Sequence, residues 1–137
     1  MKRLILIIVL IPFFAFNIQN NPDNFVGKWV GSDNNDVGAV IFEKDGYAAF
    51  EIGGQIMGGK EFVINGKRGQ MTYSINKETK PIQIDFTLTK LESGEQKTLL
   101  AIAEFIEEDV INFALSFEDI RPSSFDEKSV ILTRVKP

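Results

Sequence analysis

The chain of 137 residues contains no cysteine and no histidine, and it has a single tryptophan. Without cysteine there is no disulfide, no thiolate nucleophile, no zinc knuckle and no iron–sulfur ligation. Without histidine there is no Ser-His-Asp or Cys-His machinery and no imidazole general base. Positive charge is also scarce: 15 Lys and Arg stand against 19 Asp and Glu. Nucleic-acid phosphates require clustered Lys and Arg, and anionic membrane surfaces attract polybasic segments, so neither is an expected partner. These absences leave acid–base chemistry only to carboxylates and tyrosines. The expectation is a non-enzymatic protein with no catalytic residue, no metal site and no cofactor.

The chain opens instead on a long apolar run. Lys2 and Arg3 precede thirteen largely apolar residues, Leu4 to Phe16, interrupted only by Pro12. A basic start followed by an apolar stretch of this length is the pattern of a secretory signal, and a permanent membrane span needs about 20 apolar residues. Residues 1–19 therefore read as a signal peptide, with a signal helix ahead of the folded domain, and the protein as exported, periplasmic or secreted. The cleavage site is poorly marked, because Asn17 stands where a small residue is expected. An uncleaved N-terminal anchor is the alternative; once the signal is removed, no stable membrane insertion is expected. Beyond residue 18 the charge is −6, from 13 Lys and Arg against 19 Asp and Glu. A small exported domain without disulfides must rely on its core. Nine of the 12 phenylalanines lie in this part and supply much of it.

From Phe25 onward the hydrophobic pattern has period two. Ile82, Ile84, Phe86 and Leu88 alternate with Gln83, Asp85, Thr87 and Thr89, and residues 110–117 repeat the pattern. Alternation of this kind marks half-buried strands. Strands are expected near 26–31, 38–43, 47–52, 61–65, 70–76, 82–90, 97–105, 110–117 and 130–135. Between them lie short turn signals such as Lys44-Asp45-Gly46 and Asn65-Gly66, where glycine accepts the positive φ of a tight turn. Short loops between successive strands predict an all-β antiparallel meander over residues 25–137. Eight or nine strands can remove their exposed edges by closing into a barrel. A two-sheet sandwich is the alternative, but it usually needs longer crossovers than these.

Four pieces occur in order along this region: Gly27-Lys28-Trp29 in the first strand, Lys80-Pro81-Ile82-Gln83-Ile84-Asp85, Arg121-Pro122-Ser123-Ser124-Phe125, and the terminal Leu132-Thr133-Arg134. A GxW in the first strand with an arginine in the last resembles the lipocalin signature. The ordered set is similar to a bacterial family of small secreted lipocalin-like domains of uncharacterised function. The resemblance implies a lipocalin-like barrel in which Trp29 plugs the closed end, Arg134 packs over its indole and Gly27 allows close backbone approach. It also implies that Arg121-Pro122 fixes the loop before the last strand, with Asp85 or Glu118 as the partner of Arg121.

Candidate sites are few. Gly53 to Gly59 holds four glycines in seven residues and reads either as a mobile lid at a barrel mouth or as a flexible hairpin loop. Residues 32–38 start like a calcium loop, but Val37 and Lys44 occupy positions that need oxygen ligands. The carboxylates of Glu107-Glu108-Asp109 and Glu118-Asp119 read as solvated turns. Among the aromatics, Phe42, Phe50, Phe62, Tyr73, Phe86 and Phe113 either line an apolar ligand pocket or fill a core. The expected function is an exported lipocalin-like binding protein with a small apolar ligand in its barrel. The alternative is an interaction or inhibitor module that uses loops 53–59 and 118–129 on an envelope protein.

Overall fold

A computed structural model of the chain describes residues 22–31 and 37–136. The expected signal peptide and its helix lie outside these residues, as does most of the rejected calcium loop. A 3₁₀ turn, Pro22–Phe25, leads into ten strands: β1 (Gly27–Gly31), β2 (Val37–Phe42), β3 (Ala48–Ile52), β4 (Gln55–Gly58), β5 (Phe62–Ile64), β6 (Lys67–Asn76), β7 (Ile82–Lys90), β8 (Gln96–Glu107), β9 (Val110–Ser116) and β10 (Val130–Arg134). They form one antiparallel sheet in the order β4-β3-β2-β1-β10-β9-β8-β7-β6-β5. The first and last strands pair, Trp29 opposite Arg134, so the meander curls into a ring with its break between β4 and β5.

The count is ten strands, one more than the alternation foretold. The extra strand is β4, inside the glycine-rich segment. Gly53 (φ 57°) and Gly54 (φ 84°) form a two-residue turn that leaves Ile52 opposite Gln55, so residues 55–58 run back along β3. Positive φ at both central positions is what a tight hairpin needs, and glycine provides it without strain.

Backbone bonds across the break close the ring almost completely. The Gly59 amide extends the β3–β4 ladder by donating to Ala48 O at 2.7 Å, and across the break the Met71 amide donates to Gly59 O at 2.9 Å. Tyr47 bridges to Thr72, and the Tyr73 amide donates to Gly46 O at 3.1 Å. At this seam Gly58 (φ 132°) sits so close to its neighbours that a Cβ would come within 2.5 Å of Ala48 O and 2.7 Å of Met71 Cε.

Alternation then sorts the side chains. Val40, Phe42, Phe50, Met71, Ile84, Phe86, Leu99, Ile111, Phe113 and Leu132 point inward and form the core with Phe25 and Trp29. Antiparallel order puts the turns at 43–47, 59–61, 77–81 and 108–109 at the end where β1 begins, and those at 53–54, 65–66, 91–95 and 117–129 at the other. No helix among the described residues is long and apolar enough to cross a membrane.

Candidate functional site

The two ends of the barrel differ in how they are finished. At the end where β1 begins, Phe25 and Trp29 are fully buried, and the indole N–H donates to Phe25 O at 2.8 Å. The Arg134 guanidinium lies 4.3 Å from the Trp29 ring centroid. Its Nε donates to Asp109 Oδ1 at 2.8 Å, Nη1 to Val26 O at 2.7 Å, and Nη2 to Asn24 O at 2.7 Å and Glu108 O at 3.3 Å. One planar cation thus ties the entering chain, the β8–β9 turn and the last strand together, which a flexible ammonium could not do. Gly27 (φ 133°) passes directly beneath this side chain, where an added Cβ would meet Arg134 Cδ at 3.4 Å. This end is sealed.

Aromatic rings fill the barrel above the seal. Phe25 and Phe105 are 4.9 Å apart, Phe42 and Tyr73 4.9 Å, Phe42 and Phe86 5.8 Å, Phe50 and Phe86 4.9 Å, and Phe86 and Phe113 6.4 Å. These are spacings of tilted and offset rings in direct contact. Five of the six aromatic residues singled out in the sequence, Phe42, Phe50, Tyr73, Phe86 and Phe113, therefore meet, and they meet each other. The Tyr73 hydroxyl donates to Glu43 O at 2.9 Å and helps fix the seam. Phe62 stands apart on β5, half-buried, with its ring against the bare backbone of Gly69.

The burial of inward-facing residues falls away toward both ends, at Tyr73, Ile75, Ile82 and Phe105 where β1 begins and at a second set of residues at the other end. Phe50 is followed by half-buried Ile52 on β3, Phe86 by Leu88 and then exposed Lys90 on β7, and Phe113 by Leu115 on β9. Val130 on β10 is half-buried above buried Leu132. The result is a shallow apolar collar with Phe50, Phe86 and Phe113 as its floor. Beside it a cleft of about 170 Å³ opens between Lys67, Arg68, Lys90, Glu92, Ser93 and Glu95.

The long connection before β10 does not reach across this opening. The Arg121 Nη2 donates to Asp85 Oδ1 at 2.7 Å, and Nη1 donates to Ala101 O at 3.0 Å and Ile84 O at 3.4 Å. Asp85 faces outward between inward-facing Ile84 and Phe86, so the connection crosses the outer wall of β7 and β8. Ile102 and Ala114 are on that outer face and yet are buried, which the crossing explains. Of the two partners considered for Arg121, Asp85 is the one in place. Phe117 (56% exposed) and Ile120 (74% exposed) stay in solvent at the start of the connection.

Sequence reading did not find Asp109, which looked like part of a solvated acidic turn, nor the lysines around the collar. Alternation alone carried a signal for the lysines, since Lys90 continues the inward series Ile84, Phe86, Leu88. Among the described residues no group of three or more carboxylates is placed to hold a metal ion. Neither a protein-family model, nor a curated protein, nor a solved structure matches the chain.

Proposed function

We propose that the chain is an exported, non-enzymatic, lipocalin-like binding protein that seats a small apolar ligand on the collar at its open end. The observation that carries this reading is the set of half-buried inward-facing apolar side chains at the end away from Trp29, above the ring-packed core. A ligand there covers Ile52, Leu88, Leu115 and Val130, with the aromatic floor limiting how deep it goes. The pairing of Trp29 with Arg134 across the first and last strands supports the lipocalin-like assignment. Export rests on residues 1–19, and N-terminal sequencing of protein recovered outside the cytoplasm tests it, with a mature start near residue 20 as the expected result.

Native mass spectrometry with a panel of lipophilic fluorophores tests the binding. The expected outcome is a 1:1 adduct that weakens in Leu88→Asp, which changes the collar, and persists in Arg121→Gln, which changes the outer wall. Failure of the whole panel to bind would sink the proposal.

A second reading follows from Phe117 and Ile120: two large apolar side chains exposed on a connection that Arg121 pins down could serve a protein partner. An envelope-fraction pull-down that loses a specific partner in the Phe117→Ser, Ile120→Ser variant would favour that reading over the first.

A further inference from the structure

The barrel wall is incomplete in one place. β4 and β5 are the end strands of the sheet, and each has a neighbour on one side only. The bond from the Met71 amide to Gly59 O marks the foot of the break. Three residues from that bond along β4 stands Ile56, and three residues from it along β6 stands Arg68, which pairs with Val63 of β5. Ile56 and Val63 are therefore at one height on the two sides of the break.

The ladders decide which backbone groups the two edges leave over. Gly59 bonds to Ala48, so antiparallel alternation makes Met57 and Gln55 the bonded residues of β4 and turns the N–H and C=O of Ile56 toward the break. The Leu91 amide donates to Arg68 O at 3.1 Å, so Arg68 is turned toward β7. Its partner Val63 is turned away from β6, and its N–H and C=O also face the break. The side chains of Ile56 and Val63 lie on the outer face and are 61% and 63% exposed. Met57, Phe62 and Ile64 alternate with them on the inner face.

Proteins shield bare strand edges with charge or proline. Neither QIMG of β4 nor FVI of β5 contains either. Such an edge is complementary to an added strand, which gains affinity from main-chain bonds and selectivity from its side chains. We infer that the break docks one extended segment of a partner protein, three apolar residues in succession with an acidic residue on each side. The apolar run matches Ile56 and Val63 outside and Met57, Phe62 and Ile64 inside. Charges beside its centre are already paired, Lys28 with Glu51 at 3.6 Å and Arg68 with Glu61 at 3.7 Å. Lys60 and Lys67 flank β5 at its two ends, both exposed and without a carboxylate partner among the described residues, and they match the acidic flanks. An edge strand of a second copy would bring its own wall with it and cover one edge; an isolated segment covers both. This surface is independent of the collar and lies across the ring from Phe117 and Ile120, which follow β9.

Fluorescence polarisation on the mature chain tests the inference with a labelled, end-blocked peptide, Ser-Glu-Val-Ile-Val-Glu-Ser. Saturable binding is expected, weaker by about three- to ten-fold when the glutamates are replaced by lysines, and with that difference reduced in high salt. Methylating the central peptide nitrogens removes edge hydrogen bonds and should cost a similar factor or more. Ile56→Pro and Val63→Pro each remove an N–H that no ladder uses, at edge positions where proline is accepted, and are expected to weaken the peptide while unfolding stays cooperative. The methylated peptide acts on the unaltered chain, so it decides the matter even if a proline variant does not fold. Absence of binding, or binding indifferent to methylation, overturns the inference. Sedimentation showing a dimer that Ile56→Pro or Val63→Pro dissolves would instead assign the edges to a second copy and overturn the partner-segment assignment.

Discussion

At the scale of single residues, the fold depends on two close approaches that only one residue type satisfies. Gly58 combines a φ of 132° with neighbours 2.5–2.7 Å from where a Cβ would stand, two of them backbone atoms. Gly58→Ala therefore adds backbone strain to overpacking at the seam, and a loss of about 2–5 kcal/mol is expected from urea unfolding. Gly53 has a positive φ but open space around it. There Gly53→Ala is expected to cost about 1 kcal/mol, and Gly53→Asn less, because asparagine tolerates the left-handed region. A seam without special steric demand would give similar losses at both positions.

Arg134 is the second such residue. Its value is geometric: five donors in one plane reach Asp109 and three carbonyls while the face of the group lies on Trp29. Arg134→Lys keeps the charge and loses the fork. It should recover only a minority of the stability that Arg134→Ala removes, which we place at about 3–5 kcal/mol because Asp109 and the carbonyls lose their partner in a part-buried site. Thermal unfolding of the two variants side by side checks the split. The Trp29–Arg134 pairing was expected only through the resemblance of GxW and the terminal arginine to the lipocalin signature. Asp109 was not, because an acidic turn looks the same whether it is solvated or holds a cation 25 residues away.

At the scale of elements, period-two alternation revealed nine of the ten strands because each has one inward and one outward face. The missing one, β4, is four residues long and carries its glycine at the crowded seam, so composition made it resemble a loop. The outer-wall crossing of the β9–β10 connection was equally hidden. Ile102 and Ala114 occupy outward positions, and nothing local says they will be covered. Arg121 fastens this crossing, and its pair with Asp85 is partly shielded, with side-chain exposures of 23% and 40%. A double-mutant cycle of Arg121→Gln and Asp85→Asn is expected to give a coupling of about 1 kcal/mol, at the upper end for a partly exposed pair. Because the two carbonyl bonds go with the guanidinium and not with the carboxylate, Arg121→Gln alone should cost more than Asp85→Asn. It should also raise hydrogen exchange in residues 117–129.

At the scale of the whole molecule, the interior is divided along the barrel axis, and that division was beyond the reach of the sequence. The same phenylalanines suit a hollow barrel or a filled one; the choice depends on how far the wall curls, which the seam bonds between residues 46–59 and 71–73 decide. Here the curl is tight enough for Phe42, Phe50, Phe86 and Phe113 to touch, so the middle of the barrel is packed core. Phe86 is at the centre of that contact set, touching Phe42, Phe50 and Phe113. Phe86→Ala should destabilise by about 3–5 kcal/mol and leave an apolar hole, because strands held on both sides collapse only in part. Such a hole is dry and takes a small aromatic molecule. Benzene is therefore expected to raise the Tm of Phe86→Ala clearly more than that of the wild type. If the middle of the barrel were already hollow, the wild type would respond as strongly as the variant, and the truncation would cost little beyond the lost burial of one ring.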